Sequence, residues 1–492
     1  MDFLDPKKKR AHKIRLFIGY ALMAIALIIG STILFFEAKG FDISRKTGEV
    51  IQNGLVFVDA HPEQAEVFVN GKLEGKTDLR LTIPAGEYNF ELKRSGYRTW
   101  QRKFKLLGSQ LLRLNYAFLF PEKLETTDVH KYTKTPSFAT QSPDRKWLVV
   151  QQPDKFTTFD VFDLSNQKTP PVKSFTLPSN LTNLTAGSSK LELVEWSTDN
   201  KHLLVKHSFK GGNEFLMINH DKPTESINLN QYLKVPIYKI ALRNKKFDKL
   251  HVLDKSGGTL QFVDTKTKQI STVAKQVFSF KSYGDDTLFL VTGNEASKGR
   301  VAAVVLHGKE QIRLRELPAS GKYPIDITRF DNKWYLAVGS TTEKRAYIYD
   351  DIIEAHEKDS LHLPAPVAIF KLNQLETISV SANTRFICAQ GNGEFAIYDA
   401  EFGDQYKYDT GLKFTPGQKA EWMDGHRLTT TVDGKLTVWD YDGINKQTLV
   451  SSQSFLPFFD RDYDFLYSIA PSTSAKGQSV LTKTPMRTPE DL

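Results

Sequence analysis

The chain of 492 residues contains one cysteine, Cys388. No intramolecular disulfide and no cysteine-based metal cluster can form. Stability must come from buried apolar area, and the chain is long enough to supply it. Cys388 lies in the strand-like run RFICAQ, where a thiol reads as a small buried apolar residue and not as a nucleophile. Catalytic signatures are also missing. There is no Gly-x-Ser-x-Gly elbow, no P-loop, no HExxH and no GxGxxG following a strand. His202 and His207 stand five apart on an expected strand, so they point to opposite faces and make poor metal partners. Asp460, Asp462 and Asp464 form a D-x-D-x-D run without the Gly and distal Glu of a calcium loop, and they read as a turn. The sequons Asn180-Leu181-Thr182 and Asn183-Leu184-Thr185 carry no functional weight. No catalytic, cofactor-binding or metal-binding residue is assigned.

Charge is the next scarcity. The net charge is +9, and the first 15 residues supply six Lys/Arg against two Asp. The remaining +5 is spread over the rest of the chain, a mild bias with no dense patch for nucleic acid, so a nucleic-acid partner is excluded.

One long apolar run is present. Residues 16–36, LFIGYALMAIALIIGSTILFF, hold no charge. At about 1.5 Å per residue they span roughly 30 Å, the hydrocarbon thickness of a bilayer. Lys7, Lys8, Lys9, Arg10, Lys13 and Arg15 precede them and act as topology determinants. A transmembrane helix is expected, with a 1–15 cytoplasmic basic tail and the bulk of the chain outside the cell membrane. The run is too long and too bulky at its end for a cleaved signal peptide, and it has no polar face for a buried core helix. It contains no GxxxG pattern for dimerisation.

Residues 37–53 read as a linker. Residues 54–120 read as a small all-β domain. Leu55 to Val58 and Ala65 to Val69 are apolar strands, and Asn70-Gly71 is a hairpin turn. Leu79, Leu81 and Ile83 alternate with polar neighbours, as do Tyr88, Phe90 and Leu92. The stretch HPEQAEVFVNGKLEGKTDLRLTIPAGEYNFELKRSGYRTW, residues 61–100, resembles the PEGA domain of bacterial and archaeal surface proteins. The matching positions are Pro62, Ala65, Val67, Val69, Gly71, Gly75, Thr77, Pro84, Gly86, Tyr88, Gly96 and Tyr97, with Gln64 in place of a Gly and Asp78 in place of a Pro. The resemblance implies a small β-sandwich without catalytic residues, serving as a surface spacer or binding module. Tyr97 and Trp100 are read as core residues and not as a sugar-stacking platform.

Residues 121–135 read as a second linker. Residues 136–487 repeat a unit of polar turn, apolar strand, loose turn and alternating strand that often ends in Asp, followed by a 488–492 tail. The copies begin at 142, 197, 247, 284, 330, 381, 423 and 460. At about 44 residues per unit there is room for four short strands, one propeller blade. Trp439-Asp440 after DGKLT resembles a WD-repeat blade. The expected fold class is therefore mostly β: one transmembrane helix, a PEGA-like β-sandwich, then a seven- or eight-bladed β-propeller. The leading function is a non-catalytic binding or scaffold protein of the cell envelope, engaging protein or polysaccharide. The alternatives are a propeller hydrolase or lyase acting on envelope material, and an accessory subunit of a secretion or assembly complex.

Overall fold

The computed structural model describes residues 6–38, 40–43, 50–165, 170–183, 189–359, 364–454 and 456–491. Lys39 and 44–49 of the expected first linker, and Leu184 and Thr185 of the second sequon, lie outside the described residues. Two compact units are present, residues 1–123 with 488–491, and residues 124–487.

The first unit opens with a helix, Pro6–Ala38. It starts ten residues before the uncharged run. The basic tail expected before the transmembrane helix is itself helical from its sixth residue, because Lys, Arg and Ala favour helix and a proline is tolerated in the first turn. The helix is long and apolar enough to cross a membrane, and none of that span is buried. Two four-stranded sheets follow. One pairs Phe41–Ile43, Val50–His61 and Leu79–Pro84, with Leu111–Phe118 running parallel to Val50–His61. The other orders Lys72–Lys76, Glu66–Val69, Gly86–Lys93 and Trp100–Leu106. Val56, Val58, Val67, Phe90, Leu92 and Leu106 are fully buried. Two strands thus occupy part of the expected linker 37–53, since their residues complete the sheet edge. Gln64 sits at φ 64°, the left-handed backbone for which glycine is suited. The expected tail is also incorporated: Tyr97 donates to Asp491 at 2.6 Å, and the backbone N–H of Thr488 donates to Tyr97 at 2.8 Å.

The second unit is an eight-bladed propeller. Among the described residues, eight four-stranded antiparallel sheets follow one another along the chain; the first seven are simple meanders, and the eighth takes its fourth strand from the start of the unit. Their innermost strands are Ala139–Gln141, Lys190–Trp196, Ile237–Leu242, Val277–Tyr283, Ile325–Phe330, Thr377–Val380, Glu421–Trp422 and Phe458–Phe459. Every repeat copy read from the sequence supplies the second strand of one blade. Those second and third strands are buried on both faces, as in Phe386–Gly391 and Glu394–Asp399, because each blade is sandwiched between two others. Apolar clusters run from blade to blade. Leu203, Val205 and Leu216 of blade 2 meet Val149 and Phe159 of blade 1. Leu336 and Val338 of blade 5 meet Phe289 and Val305 of blade 4.

The ring closes by strand exchange. Thr127–Tyr132 pairs antiparallel with Ser479–Pro485 and becomes the outermost strand of blade 8. The expected linker 121–135 therefore contains a propeller strand. Its polar, single-sided pattern hid it, since an outer strand buries only Tyr132 fully. Tyr132 and Leu481 pack with Leu148 and Phe162 of blade 1. Removing the strand exposes the Ser479–Pro485 edge. A fragment of residues 136–487 is expected to unfold at lower urea than residues 124–487 and to aggregate, as measured by urea titration and light scattering. Equal stability would show that the closing strand contributes nothing.

Candidate binding site

Ring closure places eight innermost strands around a central channel, and register decides which side chains line it. Glu195, Lys281 and Glu421 each pair with the third residue of their blade's second strand, opposite Leu204, Phe289 and Thr429. Lys239 and Asp326 pair with the fifth, opposite Leu253 and Ala337. Positions two apart share a face, so these five groups form two adjacent charged tiers. Lys281 Nζ lies 3.2 Å from Asp326 Oδ1. Lys239 Nζ donates to the Phe280 carbonyl at 3.0 Å, and Glu195 accepts the Leu242 N–H at 2.9 Å. Lys419 holds Glu421 at 2.6 Å.

The channel environment separates these groups. Desolvation lowers Lys239 to about 8, with the charge of Lys281 adding to the effect and Asp326 opposing it. Lys281 is pushed upward, chiefly by Asp326 and also by Glu195 and Glu421. Desolvation raises Glu195 against the Leu242 N–H and the charge of Lys281. Each cation is thus matched to an acid except Lys239. A cavity of about 320 Å³ opens beside Glu421, between blades 7, 8, 1 and 2, lined by Thr140, Arg145, Leu193, Glu421, Trp422 and Phe458 among others. Arg145 stacks 3.8 Å over the Tyr463 ring and donates to the Met423 carbonyl at 3.0 Å, which fixes one lip of this cavity. Three inner strands carry bulges, between Leu193 and Glu195, Ile237 and Lys239, and Val277 and Ser279. The extra residues, Val194, Tyr238 and Phe278, are exposed.

The N-terminal unit has its own concavity of about 410 Å³, lined by Asn70, Tyr88, Asn89, Lys103, Phe104 and Lys105 with Glu87. Tyr97 and Trp100 lie elsewhere, in the core, at 3% and 1% exposure.

Other residues singled out from the sequence have structural partners. Lys9, Arg10, Lys13 and Arg15 are exposed on the helix, and Lys7 and Lys8 fall in its first turns. Cys388 is fully buried, and burial pushes its thiol well above the usual range. His202 stacks on Phe247 at 3.8 Å between centroids and contacts Asp199. His207 is fully buried against Glu214, which also accepts from Asn228 and from the Asn183 N–H. Asp460 accepts the Phe465 N–H at 2.9 Å within a blade turn. Among the described residues, no three of His, Cys, Asp or Glu are grouped to hold a metal ion. The charged tiers escaped the sequence reading because each member comes from a different blade. Only register brings them together.

Residues 53–119 match the family model for the PEGA domain. The chain carries a PEGA domain. No curated protein matches the sequence. Among solved structures, the propeller domain of Cps50 (Swd1) from Myceliophteria thermophila is 13% identical, with 65% of this chain and 97% of that chain covered and a TM-score of 0.39. The dihydro-heme d1 dehydrogenase NirN is 14% identical over 64% of this chain and 66% of its own, at a TM-score of 0.40. An oligogalacturonate lyase in complex with manganese is 10% identical over 74% of this chain and 98% of its own, at a TM-score of 0.39. The blade assignment rests on the strand pairing above.

Two titrations follow from this geometry. With its pKa at about 8, Lys239 is roughly half neutral at pH 8, against less than about 1% for an ordinary lysine. It is expected to be acylated about tenfold faster than the exposed lysines at that pH, as read by peptide mass spectrometry. Equal rates would remove Lys239 from the desolvated tier. Burial lifts Asp460 to about 6, with Asp464 and Asp462 adding to the effect. An acid raised above its unfolded value costs stability once ionised. The cost is absent below about pH 4, grows up to about pH 6 and stays constant above that. Asp460→Asn keeps the acceptor and is expected to stabilise the fold by ~2 kcal/mol near pH 7 but not near pH 4. Urea unfolding at the two pH values measures the difference.

Proposed function

We propose that the chain is a membrane-anchored, non-catalytic binding or scaffold protein of the cell envelope. Its N-terminus lies in the cytoplasm, and its PEGA domain and propeller lie outside. The propeller engages a protein or polysaccharide at its channel or rim. The observation that carries this reading is the helix Pro6–Ala38. It leaves an apolar span entirely unburied, with six basic residues on its N-terminal side and none of the β units before it. Two disulfide-free β modules beyond such a span are suited to hold a ligand away from the bilayer. The pairing of Lys281 with Asp326 and of Lys419 with Glu421 in the channel supports binding over chemistry.

The single buried cysteine makes the topology measurable. Cys388 is silent toward maleimides in the folded protein, so engineered thiols report alone. In intact cells, Lys309→Cys on an exposed propeller turn is expected to react with a membrane-impermeant maleimide, and Lys9→Cys only after permeabilisation. The reverse pattern would refute the external placement.

A further inference from the structure

A meander of four strands sends its connections to two ends of the ring. The segments joining second to third strands, and those joining each fourth strand to the next blade, emerge where the innermost strands begin. The remaining turns emerge at the other end. The charge divides sharply between these ends. The first set of connections holds twelve Lys, no Arg and five Asp/Glu, a balance of +7. The second set holds fourteen Lys/Arg and nineteen Asp/Glu among the described residues, a balance of −5.

Pairing sharpens the contrast. All twelve lysines are exposed. Only Lys134, 3.9 Å from Asp154, and Lys419, on Glu421, have an ion-pair partner among the described residues. At the other end the cations are widely neutralised, as in Lys201–Asp221, Lys222–Glu225, Lys246–Asp285 and Lys266–Asp248. The unpaired lysines are dispersed over separate loops of successive blades, such as Lys234, Lys255, Lys275, Lys298, Lys322 and Lys344. Such a ring sums to a field that attracts an anion with repeated charges.

The rim inside this ring is aromatic. Tyr238 and Phe278 are the bulged residues of adjacent blades at equivalent positions. Each follows a first residue paired with the last residue of the second strand, Ile237 with Asp254 and Val277 with Thr292. They are 60% and 49% exposed. Exposed aromatic faces inside a ring of cations suit a ligand with an apolar face and a charged edge.

We propose that the lysine-rich end of the propeller binds an acidic polysaccharide, with Tyr238 and Phe278 stacking on sugar rings and the surrounding lysines holding its carboxylates. This names the ligand class of the proposed binding function and rests on it. A flat anionic bilayer fits less well, because the two aromatics stand on the innermost strands, at the channel. An acidic protein would require no exposed stacking surface.

The test uses the full chain in zwitterionic nanodiscs, with immobilised alginate as the acidic probe and dextran as the neutral one. Alginate is expected to bind with an affinity that falls steeply with salt, and dextran to bind weakly or not at all. Replacing Lys234, Lys255 and Lys275 by Glu is expected to weaken alginate binding about tenfold or more. The same reversal at Lys245, Lys268 and Lys309, on the other end, leaves it unchanged. Tyr238→Ala with Phe278→Ala lowers affinity while keeping the salt dependence. Equal loss from both lysine triplets, or equal binding of dextran, overturns the proposal. Binding to phosphatidylglycerol vesicles without alginate binding also overturns it, in favour of a lipid surface. Capture of a stoichiometric membrane complex with no polyanion binding overturns the ligand class alone and leaves the scaffold reading standing. The failure of maleimide labelling described above removes that reading itself.

Discussion

Everything in the propeller depends on one backbone ladder, the pairing of Thr127–Tyr132 with Ser479–Pro485. Without it the eighth blade has three strands, its outer edge is open, and the seam between the first and eighth blades loses the packing of Tyr132 against Leu148 and Phe162. The hydrogen bonds in this ladder join residues some 350 positions apart, so closure orders a loop that spans the whole propeller. With no disulfide available, this ladder and the apolar seams between blades hold the ring together. The channel is a product of closure, and so are the charged tiers that face it.

The repeats were legible because the second strands are buried on both faces and follow a polar turn, which holds an acid in every blade but the sixth. The closing strand was not. Its sequence, TDVHKY, is polar at alternate positions because one side faces solvent, and nothing local tells an outer strand from a linker. The PEGA core was legible through alternation at Leu79–Ile83 and Tyr88–Leu92, whereas Lys72–Lys76 was invisible because none of its side chains is buried. The channel residues were illegible for a different reason. Glu195, Lys239, Lys281, Asp326 and Glu421 span more than 220 positions, and only the register of five separate blades puts them on one wall.

The charge asymmetry belongs to the same class of hidden pattern. Read along the chain, the lysines are diluted by acids, and the surface looks mixed. Sorted by the end of the ring to which each connection runs, the same residues separate into a lysine-rich end and an acidic one. A meander alternates its turns between two ends, so a sequence can polarise a propeller by placing Lys in every second connection.

The closing ladder also has a mechanical meaning. The segment that leads from the PEGA domain into the ring continues directly into Thr127–Tyr132. A pull along the N-terminal side of the chain therefore enters the ring at its outermost strand of blade 8, and the bonds of Tyr97 to Thr488 and Asp491 pass part of it to the neighbouring strand Ser479–Pro485. The two strands that complete the ring are also the ones through which tension enters it.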